Sequence, residues 1–328
     1  MRHLVLAGLE AHNPLGFLAA LGLLRVLDYE AARAGREKPR LGFVDVGAFV
    51  AYLLTPHTLE EIIAIVLRDA AAQADNRALQ FAYDADGMRV PPTGGGATLD
   101  LKPSPAGARE LLDDTATADP PTAALAAAWF SELVQDKTKG RIKPTAFHFT
   151  AGNQAFLKIV EAVRRGLTAD QLREALVGPW LNSSQLPSLR WDVSVTRLYA
   201  LRAEKPADDK QGSEPAANWL AVLGLAFFPV VAQRGRLVTT GVTGGWNDSA
   251  FTWPVWSPAA EVTAVASLLR IDAATWTQRE RVAYGVETVL QSRIIRSDQG
   301  GYGSFAPSSV VSPAADRARK RQLRRDAE

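Results

Sequence analysis

Residues 4–33, LVLAGLEAHNPLGFLAALGLLRVLDYEAAR, decide how the rest of the 328-residue chain is read. A short extended apolar segment runs into a turn at His12 and Asn13, and a helix follows. Asn13 can cap that helix, because its side-chain oxygen reaches an N–H of the first turn that has no partner within the helix. Pro14 suits the first helical position, where its missing donor costs little. Leu18, Leu21, Leu24 and Val26, with small and apolar neighbours between them, make the helix apolar on several faces rather than along one stripe. A helix of that kind lies deep in a core or against a partner. Gly35 stands near its end, and the charged REKPR that follows reads as a connection.

Outward from this helix, LGFVDVGAFVAYLL (41–54) includes a strand and the opening of another structured element. HTLEEIIAIVLRDAAAQA (57–74) reads as a second helix, with Thr58 as cap and Glu61 at the complementary third position. From about Asn76 to Pro121 the periodicity weakens. PPTGGG and KPSPAG there signal turns or a mobile excursion, and the glycines lack the GK[ST] that a phosphate-cradling loop requires. PTAALAAAWFSELV (121–134) is a helix candidate, followed by QDKTKGRIKP, a basic exposed loop. FHFTAGNQAFLKIVEAVRRG (147–166) passes from strand to helix, with Asn153 as a candidate cap and Phe156, Ile159, Val160 and Val163 on its buried face. Lys158, Arg164 and Arg165 would then be available to solvent or phosphate. LTADQLREALVGPW begins another helix.

LNSSQLPSLRWDVSVTRLYALR (181–202) has an extended look, and KPADDKQGSEP (205–215) is a surface-loop signal. ANWLAVLGLAFFPVV reads as a buried helix ending near Pro229. RGRLVTTGVTGGWNDSAFTWPVWSP (234–258) suggests strands with turns, EVTAVASLLR a short helix, RVAYGVETVLQSRII a helix with a nearby strand, and SDQGGYGSFAPSS a Gly-rich loop. Helices and strands alternate without a repeated βαβ period. The expected fold class is therefore α+β, a discontinuous compact fold with a predominantly antiparallel or mixed sheet. The expected organisation is an N-terminal α+β portion over 1–90, a flexible connection or insertion over 91–121, a main α+β portion over 122–313 and a basic tail over 314–328.

Composition is that of a soluble globular protein, 47% hydrophobic and 22% charged. The absence of cysteine removes disulfides, thiolate nucleophiles and Cys-ligated metals, and fits cytoplasmic residence. Neither a signal peptide nor a span of about 20 apolar residues is apparent, so no membrane is expected. Formal net charge is only +2, but DRARKRQLRRDAE at the C-terminus concentrates positive charge that could meet nucleic acid or an acidic subunit, or form a solvated helix.

Catalytic patterns are sparse. His3, His12, His57 and His148 form no HExxH or other close ligand group, so no metal and no cofactor is expected. His148 is either a base or RNA contact, or a strand-end side chain bonded to backbone. The adjacent pairs Asp113–Asp114 and Asp208–Asp209 lie in polar loops, where solvent exposure explains them more simply than catalysis. Nucleic-acid binding has broader support. Arg190, Arg197, Arg202, Lys205, Arg234, Arg236, Arg293 and Arg296 can bridge phosphates, and Trp246 or Tyr302 can stack on unpaired bases. Trp191 reads as core, Trp253 and Trp256 as a packed strand beside Pro254, and Trp246, after two glycines, as the more accessible aromatic.

The entrance HNPLGFLAALGLLRVL resembles the beginning of accessory or effector proteins of type I-G (formerly type I-U) CRISPR systems. AGNQAFLKIV, GPW, SLRWD followed by RLYALR, ANWLAVLGLAFFPV, RLVTTGV and FTWPVW look like the CRISPR-associated extension family of that setting, over most of the chain. The resemblance implies a non-catalytic part in antiviral defence: contact with guide RNA or target DNA, and with other effector subunits or the helicase-nuclease, where cleavage belongs to a partner. The alternatives are a structural adaptor working through Leu18–Val26 or loop 204–215 without nucleic acid, and a metal-dependent nuclease using Asp192, Asp208 or Asp209. The family often has Pro after its Trp-Asp pair, where this chain has Val193, Ser194 and Val195. A network of Asp192, Trp191 and Tyr199 is expected to join two extended pieces by a turn near Val193–Thr196, with Arg197 either bracing Asp192 or facing a partner.

Overall fold

The computed structural model describes residues 1–136, 138–151, 154–195, 212–246, 248–296 and 302–314. The chain opens with β1 (Arg2–Glu10), α1 (Pro14–Ala34), the hairpin β2 (Arg40–Asp45) and β3 (Phe49–Thr55), and α2 (Leu59–Ala72). Then come β4 (Ala82–Tyr83), β5 (Arg89–Val90), α3 (Pro105–Ala116), α4 (Pro120–Ala126), β6 (Phe130–Gln135), β7 (Ile142–Pro144), α5 (Phe156–Arg165) and α6 (Ala169–Val177). The last third holds α7 (Pro215–Gly224), β8 (Val230–Gln233), β9 (Arg236–Thr239), β10 (Val242–Thr243), β11 (Ala250–Trp256), α8 (Val262–Leu269), α9 (Gln278–Ala283), β12 (Val286–Arg296), β13 (Gly303–Phe305) and β14 (Ser309–Val310). All pairings between these strands are antiparallel, so the fold is α+β as expected, without a barrel. No described helix is long and apolar enough to cross a membrane.

Two sheets hold the frame. One has the order β1-β3-β2. The other runs β10-β11-β12, with β13 and β14 both on the far edge of β12. They are joined by side chains as well as backbone: Trp253 Nε1 donates to the Ala11 carbonyl at 3.0 Å, and Trp256 Nε1 to the Leu41 carbonyl at 2.8 Å. Leu41 and Ala260 exchange backbone hydrogen bonds, both of 2.9 Å. Phe17 of α1 lies at this junction, with ring centroids 5.8 Å from Phe43 and 5.6 Å from Trp253.

Asn13 caps α1 through the Leu15 N–H with Pro14 in the first turn, and Gly35 ends it in the left-handed region at φ 60°. Leu15 to Leu24 are all buried, because α7 crosses α1 on a face that would otherwise meet solvent. The adaptor surface expected at Leu18–Val26 is therefore core of this chain, which removes it as a docking face.

Two local readings change. FSELVQ is strand β6 rather than the end of a helix: α4 stops at Ala126, Trp129 turns inward to donate to the Ala78 carbonyl at 2.9 Å, and the following residues pair with β7. The stretch 91–121 carries α3, capped by Ser104, with Leu111 in the core. Its mean apolar character is weak, since only one narrow face touches protein.

Candidate nucleic-acid interface

The irregular segment Ala146–Phe149 follows β7 and enters the core without a continuous strand partner, so its carbonyls need donors from elsewhere. Four successive ones are supplied. Arg296 Nη2 donates to Ala146 O at 2.9 Å, Trp191 Nε1 to Phe147 O at 2.9 Å, Arg296 Nη1 to His148 O at 3.2 Å, and Gly303 N to Phe149 O at 3.0 Å. Strand parity explains why Arg296 can do this. On β12, Ser292 and Ile294 are buried while Arg293 and Ile295 are exposed, so Arg296 falls on the inward parity at the strand end. Burial pulls the Arg296 guanidinium down to about 10, leaving it charged at neutral pH.

That guanidinium also lies over two rings, 5.5 Å from the centroid of Phe149 and 4.1 Å from that of Trp246. Trp246 is 64% exposed, so Arg296 backs one face of an indole that is otherwise open. Arg190 sits beside this arrangement. Its Nε donates to the Gly303 carbonyl at 3.2 Å, and its guanidinium lies 5.5 Å over Tyr302.

Below the segment is a buried pair. His148 Nε2 is 2.7 Å from Asp100 Oδ1, with Thr150 Oγ1 3.1 Å from the same nitrogen, and Phe156 N also donates to Asp100 Oδ1, at 3.0 Å. Burial holds the His148 imidazole below its ordinary value despite the opposing pull of Asp100. The imidazole is thus neutral at pH 7 and donates Nε2–H to the carboxylate. Burial works against ionisation of Asp100, but His148, Lys102 and the Phe156 N–H together outweigh it and hold the carboxyl below the usual range. Burial pushes Lys102 down against the opposing pull of Asp100, with smaller contributions from Lys139 and Arg296.

The expected residues divide into three groups. Arg190, Arg296, Trp246 and Tyr302 come together, but both arginines spend hydrogen bonds on backbone carbonyls, which makes bracing their first role. Arg293 faces outward on β12, while Arg234 and Arg236 stand exposed at the β8–β9 turn, where Arg234 is left-handed at φ 49° and Gly235 at φ 72°. None of these three has an acidic partner among the described residues. Arg197, Tyr199, Arg202, Lys205, Asp208, Asp209, Asn153 and most of the C-terminal tail lie outside the described residues. Trp191 is fully buried. Asp192 accepts from Asn13 Nδ2 at 3.1 Å and Ser194 N at 2.9 Å, which ties the 193–195 turn to the entrance of α1.

Two sequence readings are corrected here. His148 pairs with a carboxylate 48 positions away rather than with backbone, and no spacing rule announces such a partner. Arg164 is held by Glu161 and by the Ala70 carbonyl and is largely buried, whereas Arg165, though paired with Glu161, stays exposed as expected. Asp114 likewise bridges Arg77 and Arg89 at 2.8 Å each. Among the described residues, no group of three or more histidines and acids has a metal-holding arrangement.

A second feature that sequence reasoning missed joins Glu174 of α6 to Glu214, the residue before α7. Glu174 Oε1 accepts from Leu181 N and Glu214 Oε1 from Asn182 N, both at 2.6 Å, so the two carboxyls hold adjacent residues of one loop. Burial, against the Asn182 N–H and with help from the nearby Glu174 and Asp192, raises Glu214 to about 7. A proton on Glu214 lets it sit beside a second carboxyl on the same loop. No family model, curated protein or solved structure matches the chain.

Proposed function

We propose that this chain is a non-catalytic, cytoplasmic component of a type I CRISPR interference assembly of the kind its motifs resemble, contacting single-stranded guide RNA or target DNA. The observation that carries the nucleic-acid part is the exposed Trp246 ring backed by Arg296. An indole held flat by a cation on one face offers the other to a base, and stacking of that kind tolerates any sequence. Arg293, Arg234 and Arg236 remain as exposed cations for phosphate. Base-pair specificity would come from the guide, so the protein has no need to read sequence.

The test is fluorescence anisotropy with labelled single-stranded RNA and DNA over a salt series. Trp246→Ala is expected to weaken binding by about 1–3 kcal/mol, the ordinary worth of one base stack. Arg293→Gln should lower the salt slope by about 0.7, the contribution of one phosphate contact on a single strand. Unchanged affinity and slope in both variants would defeat the reading. Affinity purification from the native host with and without nuclease tests the assembly: loss of co-purifying effector subunits on nuclease treatment supports attachment through nucleic acid, whereas recovery of the isolated protein under both conditions opposes membership.

A further inference from the structure

Where residues 307–314 run past α9, a charge is buried without a counterion. Arg281 is the only buried residue of that helix, and its neighbours Glu280 and Val282 are exposed. The whole residue is 2% exposed. Its Nη1 donates to the Val311 carbonyl at 2.8 Å, but Nε and Nη2 are sealed from solvent and have no partner among the described residues. No described carboxylate lies within ion-pair reach of the guanidinium, and no described aromatic ring lies under it. Burial pulls it below the ordinary arginine range. Arginine keeps its proton even so, and a full charge with two unanswered donors is costly to enclose.

The segment that meets this charge is lightly held. The two-residue β14 pairs with Leu290 and Gln291 of β12, Val311 N donates to the Val289 carbonyl and Ala314 N to the Trp276 carbonyl, both at 2.8 Å, and Ser308 Oγ donates to the His12 carbonyl at 2.7 Å. Pro307, Ser309, Val310, Ser312 and Pro313 are exposed. Val311 is the apolar side chain that the segment adds to the small cluster of Ala273, Trp276, Val286 and Val289. Backbone bonds of this kind contribute little net, because water replaces them once the segment lifts. Lifting also hydrates Arg281. Closure therefore gains a few hydrogen bonds and one half-buried valine, and gives up the solvation of a cation.

We propose that residues 307–314 form a strap that lifts from β12 while the rest of the sheet stays folded, and that Arg281 is the residue that loosens it. Lifted, the strap bares the β12 edge at Val289–Gln291 beside a guanidinium with all its donors free. The device is independent of the nucleic-acid reading, whose rings stand at the Arg296 end of β12. Hydrogen exchange of the full chain, resolved amide by amide, tests it. The Val311 and Ala314 amides are expected to exchange at least about 100-fold faster than those of the β11–β12 ladder, at rates that low urea leaves unchanged, since the opening exposes little surface. Exchange in step with the ladder at every urea concentration would mean that the strap opens only with the whole fold, and overturns the proposal. Arg281→Met removes the charge and keeps an unbranched apolar stem, so it should slow both amides about tenfold. Unchanged or faster exchange in that variant would show that Arg281 fastens the strap through Val311, which also overturns the proposal. If Arg281→Met does not fold, the urea dependence in the native chain decides.

Discussion

Gly22 of α1 and Gly224 of α7 meet where the two helices cross. A Cβ on Gly22 would lie 3.0 Å from Gly224 N and collide with the Leu220 carbonyl, and a Cβ on Gly224 would lie 3.1 Å from Gly22 N and collide with the Leu18 carbonyl. Small residues thus permit a backbone-to-backbone approach at the centre of the core. Overpacking a rigid site of this kind costs about 1–3 kcal/mol and occasionally more. Gly22→Ala is expected at or above the top of that range, because the clash is with backbone rather than a movable side chain. Urea unfolding measures it, and a loss below about 1 kcal/mol would mean that the crossing is looser than described.

Arg296 and the β8–β9 arginines should separate cleanly. Arg296→Gln removes charge-assisted bonds to two carbonyls and the cation behind Trp246, so a stability loss of about 2–4 kcal/mol is expected. Arg234→Gln and Arg236→Gln, both exposed, should stay within about 0.5 kcal/mol of the parent. Denaturant midpoints for the three variants test the distinction between bracing and available cations.

Acid should weaken the His148–Asp100 pair. The His148 pKa is lowered in the folded chain, so below about 6.5 the unfolded chain takes up a proton that the native imidazole refuses, and stability falls as pH drops. Asp100 is lowered as well, and its contribution is lost at more acid pH, as pH falls below about 3.9 toward its native value. His148→Gln should be less stable at pH 7 yet lose less between pH 7 and 5. Urea midpoints at the two pH values provide the comparison, and parallel losses would refute a neutral His148.

Glu214 acts in the opposite sense. Its carboxyl titrates near 7 in the fold against an ordinary value of 4.5, so its favourable state is fully present below about 4.5 and is lost as pH rises through about 7. Glu214→Gln should abolish a decline on the order of 3 kcal/mol between those limits and, at pH 8, stabilise the chain. Thermal melts from pH 5 to 8 report it, with Glu174→Gln as the reciprocal variant.

Much of the helical framework was legible. The Asn13 cap, Pro14, the Thr58–Glu61 capping box and the buried Phe156, Ile159, Val160 and Val163 face all arise within a few residues of one another, where local sterics and periodicity act directly. FSELVQ was not legible as a strand, because Trp129 and the partner β7 override a sequence that also suits a helix. Trp246 stood out through its glycines and is exposed. The orientation of Arg296 did not stand out, since it depends on the parity of β12 relative to a core that the strand alone does not identify.

The amino-acid sequence by itself determined the α+β class, the main capped helices and the apolar character of α1, all consequences of short-range backbone preference and hydrophobic pattern. Only the tertiary structure decided that α1 is covered by α7, that Arg190 and Arg296 serve backbone carbonyls before any phosphate, and that His148 meets Asp100. Those pairings close loops of tens to hundreds of residues. Packing of two sheets around one buried helix selects them, and no local propensity encodes that choice.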